Sequence, residues 1–156
     1  MKRHHRHYDS ADRFQYLKEL LHEFQVSQNQ DAKRQVLANL ANFCYDPINF
    51  EHIRKLNLIC IFLDLLSVKN KKFVEFSISG LCNLSVDPKN VEVIINYNGL
   101  EKICTCIGNE NNEIKLSALT TLIHITNKDN NAINGNYFIS CFLYLKHAFK
   151  QLSTRI

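Results

Sequence analysis

The chain repeats itself with an offset of 41 residues, as from Asn42 to Asn83, and this period restricts the available folds more than any other feature. The string Leu40-Ala41-Asn42-Phe43-Cys44-Tyr45-Asp46-Pro47 aligns with Leu81-Cys82-Asn83-Leu84-Ser85-Val86-Asp87-Pro88, and a looser copy runs Leu122-Ile123-His124-Ile125-Thr126-Asn127. The same offset pairs Val36 with Ser77 and Ala118, Leu37 with Ile78 and Leu119, Asn49 with Asn90, Ile53 with Ile94 and Phe62 with Ile103. A period of about forty residues with helical patterning marks an α-solenoid, in which no unit buries its apolar face without its neighbours. The expected fold is therefore all-α, a short right-handed solenoid of stacked helical units.

Glycine and proline usage sharpens this. Only four Gly and two Pro occur, and both prolines stand at the repeat junctions, which leaves room for long uninterrupted helices. In Asp46-Pro47 and Asp87-Pro88 the aspartate accepts from the free amides of a helix start, and proline at the next position forfeits no helical hydrogen bond. Each pair should end one unit and begin the next. Apolar spacing predicts helices near 11–26, 31–45, 47–56, 58–67, 71–86, 88–98, 99–108 and 113–127, with Gly99 as a left-handed helix end after Asn98. The expected organisation is a basic tail over residues 1–10 and a repeat domain over 11–156, with units at about 11–45, 47–86 and 88–127 and a partial unit at 129–156. Three helices per unit, the first short and the third longest, distinguish this pattern from a two-helix repeat.

The third-helix strings Val36-Leu37-Ala38-Asn39-Leu40-Ala41-Asn42-Phe43 and Ile78-Ser79-Gly80-Leu81-Cys82-Asn83-Leu84 resemble armadillo repeats. The resemblance covers roughly residues 14–127 and is strongest between 23 and 84. Together with Gln30-Asp31-Ala32-Lys33, Tyr45-Asp46-Pro47 and Val74-Glu75-Phe76, these strings are similar to one branch of that family. What the resemblance implies is a non-catalytic nuclear adaptor acting with an RNA-binding partner, RNA-binding motif protein 48, in the splicing of minor-class (U12-type) introns. Contact with RNA would then be indirect, through the splicing complex. Members of that branch have a longer C-terminal part, whereas this sequence stops soon after Phe149. Residue patterning alone supports a short solenoid with a binding face, which leaves open a generic cytoplasmic peptide-binding adaptor.

Asn42 and Asn83 hold equivalent places on successive third helices, with His124 as a changed third position. A side-chain amide offers one acceptor and two donors, so an aligned pair can hold a partner's backbone or can instead tie neighbouring helices together. The candidate partner-binding residues are Gln35, Ala38, Asn42, Phe76, Ser79, Asn83, Thr120 and His124. Armadillo arrays of the nuclear-import type place Trp four residues before the Asn. Here Ala38, Ser79 and Thr120 take those places and the chain has no Trp, so capture of a basic import peptide is not expected. The small side chains leave a shallow, open groove suited to a helix or a folded surface. Lys102 is expected to be an outer-face charge outside this groove.

Other constellations point away from chemistry. Lys2, Arg3 and Arg6 supply three of the formal charge of +4, so the body is near neutral and carries no nucleic-acid footprint. The Lys2-Arg3-His4-His5-Arg6-His7 run lacks interleaved aromatics and reads as a solvated tail. Cys44, Cys60, Cys82, Cys104, Cys106 and Cys141 mostly sit among apolar neighbours, the pattern of a reducing compartment rather than a disulfide framework. Cys104 and Cys106 diverge on a helix, and His22, His52, His124 and His147 lack metal-ligand or nucleophile spacing. The expectation is no enzyme, no cofactor, no metal and no small-molecule substrate. The apolar runs Leu58–Leu66 and Tyr137–Leu145 fall short of the ~20 residues of a membrane helix, and no secretory signal opens the chain, so a soluble intracellular protein is expected. Phe138, Phe142, Leu143, Leu145 and Phe149 predict an apolar last helix that folds back on the core or meets a partner.

Overall fold

The computed structural model describes residues 10–126 together with Leu143 and Lys146. Expectations for the basic tail and for the last apolar helix lie outside the described residues, except that Leu143 is helical and exposed. Eight α-helices run through the described part: α1 (Ser10–Val26), α2 (Gln30–Phe43), α3 (Phe50–Lys55), α4 (Leu58–Leu65), α5 (Lys71–Leu84), α6 (Pro88–Asn96), α7 (Gly99–Thr105) and α8 (Asn112–Thr126). A 3-10 turn at Pro47–Asn49 leads into α3, and a second at Cys106–Gly108 ends α7. The helix expected over 47–56 thus opens in the tighter form, whereas the equivalent Pro88 opens α6 directly as an α-helix.

Period-41 residues set the start of every long helix that follows a loop. Asn29 Oδ1 accepts from the amides of Asp31 at 2.9 Å and Ala32 at 3.2 Å, and Asn70 Oδ1 accepts from Lys72 at 3.1 Å and Phe73 at 3.4 Å. Asn111 Oδ1 accepts from Glu113 N at 2.9 Å. These three caps open α2, α5 and α8, satisfying amides that have no partner inside the helix. Asp46 and Asp87 do the same for the short first helices, accepting from Ile48 N at 3.1 Å and Asn90 N at 3.0 Å.

The turn at Asn98-Gly99 corrects the sequence expectation. The left-handed residue is Asn98, with φ 54°, and its equivalent Asn57 has the same φ of 54°. Asparagine tolerates that region better than most L-residues. Gly99 serves a different need: a Cβ there would lie 2.7 Å from the Ile94 carbonyl oxygen and 2.9 Å from Leu63 Cδ2. Gly80 likewise lets α5 approach α4, since a Cβ would lie 2.7 Å from Phe62 Cε2.

The core follows the repeat. Leu37 and Ile78, Leu40 and Leu81, Ile53 and Ile94, and Phe62 and Ile103 are all fully buried within one continuous apolar cluster. Helix α5 lies at its centre and packs on α2, α4 and α8, while α2 in turn packs on α1. Stacking of α2, α5 and α8 side by side is what places their outward positions on a common face.

Candidate partner-binding face

On α2 the buried residues are Val36, Leu37, Leu40 and Ala41, so Gln35, Ala38 and Asn42 form the stripe on the other side. Gln35 and Asn42 are exposed and Ala38 is half-buried; Gln35 Nε2 donates to Asn39 Oδ1 at a long 3.5 Å. On α5 Ser79 is exposed, whereas Asn83 and Phe76 are half-buried. Phe76 packs its ring partly against the core, with Lys72 Nζ 5.9 Å from its centroid, so it walls the stripe more than it projects from it. On α8 Thr120 and His124 are both half-buried. Of the eight predicted residues along three adjacent helices, Gln35, Asn42 and Ser79 are exposed and the other five are half-buried.

The asparagines separate clearly by their bonding. Asn49 Nδ2 donates to the Phe43 carbonyl at 2.9 Å, and its counterpart Asn90 Nδ2 donates to the Leu84 carbonyl at 3.0 Å. Both are buried and tie the end of a third helix to the start of the next unit. Asn29, Asn70 and Asn111 are occupied as caps. Asn42 and Asn83 alone among these periodic asparagines that bear on the helix faces make no side-chain hydrogen bond among the described residues, so their donors and acceptors are turned to solvent.

His124 is committed differently. Ser85 Oγ donates to the Cys82 carbonyl at 2.7 Å and lies 2.8 Å from His124 Nδ1. With its single proton on the carbonyl, the hydroxyl accepts from Nδ1–H, which fixes the imidazole against the end of α5.

Electrostatically the stripe is neutral. Gln35, Phe76, Ser117, Ala38, Ser79, Thr120, Asn42, Asn83 and His124 include no carboxylate, lysine or arginine. The charges beside it are paired: Lys72 Nζ lies 2.8 Å from Glu75 Oε1, Asn111 Nδ2 donates to Glu75 Oε2 at 3.0 Å, and Arg34 lies 3.0 Å from Asp31. Lys102, expected as an outer-face charge outside the groove, reaches Asp64 at 2.8 Å and lies 5.0 Å from the Tyr97 ring centroid, with Tyr97 Oη donating to the same carboxylate at 3.2 Å. Sequence reasoning missed Tyr45 and Val86. They are exposed by 79% and 57%, stand one period apart directly beyond Asn42 and Asn83, and add apolar area to the neutral stripe. Their spacing was visible in the alignment, but their exposure was not.

Burial pushes the thiols of Cys44, Cys60, Cys82 and Cys106 up, Cys106 to about 11. Such thiols stay protonated at neutral pH and are poor nucleophiles. No group of three His, Cys, Asp or Glu that could hold a metal occurs among the described residues. No helix among them is long and apolar enough to cross a membrane.

Known proteins place these features in a wider context. The pattern of the armadillo-like family matches residues 13–150. The mouse (Mus musculus) protein named Armadillo repeat-containing protein 7 is 46% identical over 114 residues, which is 73% of this chain and 58% of that protein. Two engineered proteins of known crystal structure superpose with TM-scores of 0.66 and 0.64 at 14% and 13% identity. They cover 90% and 92% of this chain and 57% and 64% of their own lengths, a likeness of fold alone.

Proposed function

The chain belongs to the armadillo-like family, whose repeats bind proteins, and on that premise we propose that the α2–α5–α8 face docks a protein partner in the splicing of minor-class (U12-type) introns. The observation that carries the binding face is the open bonding capacity of Asn42 and Asn83, set between the small side chains of Ala38 and Ser79 and the exposed Tyr45 and Val86. Its neutrality favours a partner surface of apolar and amide groups over a strongly charged peptide. The 46% identity to the mouse protein supports placing the chain in that branch of the family. The splicing role, RNA-binding motif protein 48 as the partner, RNA held indirectly through the splicing complex, and the nucleus as the site of action are what the resemblance to that branch implies. The protein acts as a non-catalytic adaptor in this reading.

The test is a pull-down from nuclear extract followed by affinity measurement. The parent chain should recover RNA-binding motif protein 48 together with minor-class small nuclear RNAs. Asn42→Ala combined with Asn83→Ala should weaken partner binding by about 2–4 kcal/mol, because partner groups buried at the interface lose their hydrogen bonds, while helix content stays unchanged. Lys89→Ala on α6, outside the three helices of the face, should leave affinity unaltered. If the double variant binds as the parent does, the partner docks elsewhere; if neither partner nor small nuclear RNA is recovered, the splicing role fails.

A further inference from the structure

One inter-unit contact occurs in full at one repeat and in unfinished form at the repeat before it. Arg54, on α3, reaches into the following unit, where Nη1 donates to Asn90 Oδ1 at 2.6 Å and lies 3.3 Å from Asp87 Oδ1. Each of these three residues has a counterpart 41 positions earlier that is identical in type: Arg13, Asn49 and Asp46. The surrounding geometry is reproduced as well. Asn49 holds the Phe43 carbonyl as Asn90 holds that of Leu84, and Asp46 caps its short helix as Asp87 does. Helix α1, which carries Arg13, packs directly on α3, which follows Asn49 without a break.

The arginine contact is not reproduced. Asn49 is 1% exposed, and its Oδ1 has no hydrogen-bond partner; Arg13 Nε is also buried without one. A guanidinium donor of Arg13 and the Asn49 acceptor, whose equivalent in Asn90 receives the Arg54 guanidinium, thus stand unsatisfied in abutting elements. Unpartnered buried polar groups are unfavourable, and a guanidinium hydrogen bond is among the stronger ways to relieve them. We propose that Arg13 is a second copy of the Arg54 clasp, a strap on α1 that closes on Asn49 Oδ1 and Asp46 and locks the first helix onto the array.

In solution the closed clasp brings the Arg13 guanidinium against the Asn49 amide. In the full-length parent, side-chain nuclear magnetic resonance should show slowly exchanging guanidinium protons for both Arg13 and Arg54, with cross-peaks to Asn49 and Asn90 respectively. Two thermodynamic cycles in urea supply the energetic readout: Arg13→Gln with Asp46→Asn, and Arg54→Gln with Asp87→Asn. Asparagine retains the helix cap, so each cycle isolates the charge pairing. Each should show coupling of about tenfold in the folding constant, as for a hydrogen bond to a charged group. Additivity within about twofold in the Arg13 cycle, or absence of the Arg13–Asn49 cross-peak in the parent chain, overturns the proposal. The resonance measurement needs no variant and stands even if a substituted chain fails to fold.

Discussion

Replacing Leu81 by alanine tests the packing on which the binding face depends. Leu81 is fully buried on α5, the helix that packs on α2, α4 and α8 at once. Removing three carbons forfeits about 2–2.5 kcal/mol of transfer free energy at about 0.8 kcal/mol per methylene. A cavity term follows, and it should be large because α5 is held on three sides and cannot move toward one neighbour without leaving another. The expected loss is about 3–5 kcal/mol, which for a chain of this size lowers the thermal midpoint by roughly 6–20 °C. Because each unit contacts only its neighbours, the damage should pass through the whole short array instead of melting one segment. Leu40→Ala on α2, also fully buried, should lose about 2–5 kcal/mol by the same mechanism. Leu116→Ala provides the control: Leu116 is 62% exposed, so its replacement should stay within about 0.5 kcal/mol. Urea unfolding followed by circular dichroism at the helix band measures all three. Losses below about 0.5 kcal/mol at both Leu40 and Leu81 would mean that the buried faces of α2 and α5 are wrongly assigned.

Two further outcomes follow from local geometry. Gly99→Ala should destabilise by about 1–2 kcal/mol despite alanine's higher helix propensity, because the new Cβ meets the Ile94 carbonyl, which is backbone and cannot swing aside; a gain in urea midpoint would contradict the close approach. Burial raises the Cys106 thiol from its ordinary range to about 11, so the unfolded chain releases that proton first. The contribution is fully present below about pH 9 and is lost as pH rises to about 11. Its size is about 2–3 kcal/mol, and Cys106→Ala should flatten the alkaline decline in unfolding midpoint relative to the parent.

Much of the fold could be read from the sequence because the period repeats its apolar pattern. Leu37, Leu40, Ile53 and Phe62 and their counterparts one period later occupy the same buried environments, so a single offset located the core. What escaped was decided by contacts between units. The backbone at Asn98 is left-handed while Gly99 answers to the nearness of Ile94 and Leu63, and no local rule distinguishes those two needs in an Asn-Gly pair. The ion pair of Lys102 could not be read from the sequence because Asp64 lies 38 positions away. Of the candidate site, the stripe on α2, α5 and α8 was legible as a set of equivalent positions, whereas the exposure of Tyr45 and Val86 and the tie from Ser85 to His124 depend on how the chain leaves each helix.

The asparagines show why periodicity cannot by itself identify a functional residue. Asn29, Asn70 and Asn111 recur because each long helix needs its first amides satisfied. Asn57 and Asn98 recur because a turn demands positive φ, and Asn49 and Asn90 because a buried carbonyl must be met by a donor. In all three sets the side chain or the backbone already discharges a structural requirement, so selection for folding alone accounts for the repeat. Asn42 and Asn83 recur with equal regularity and discharge none among the described residues; each lies on a helix whose interior it neither caps nor links. Asparagine in the middle or last turn of a helix is less favourable than alanine by a few tenths of a kcal/mol, roughly 0.5 each. Two such positions one period apart, at a cost to helix propensity and with no internal bond to offset it, are in keeping with the proposal that a partner binds across them.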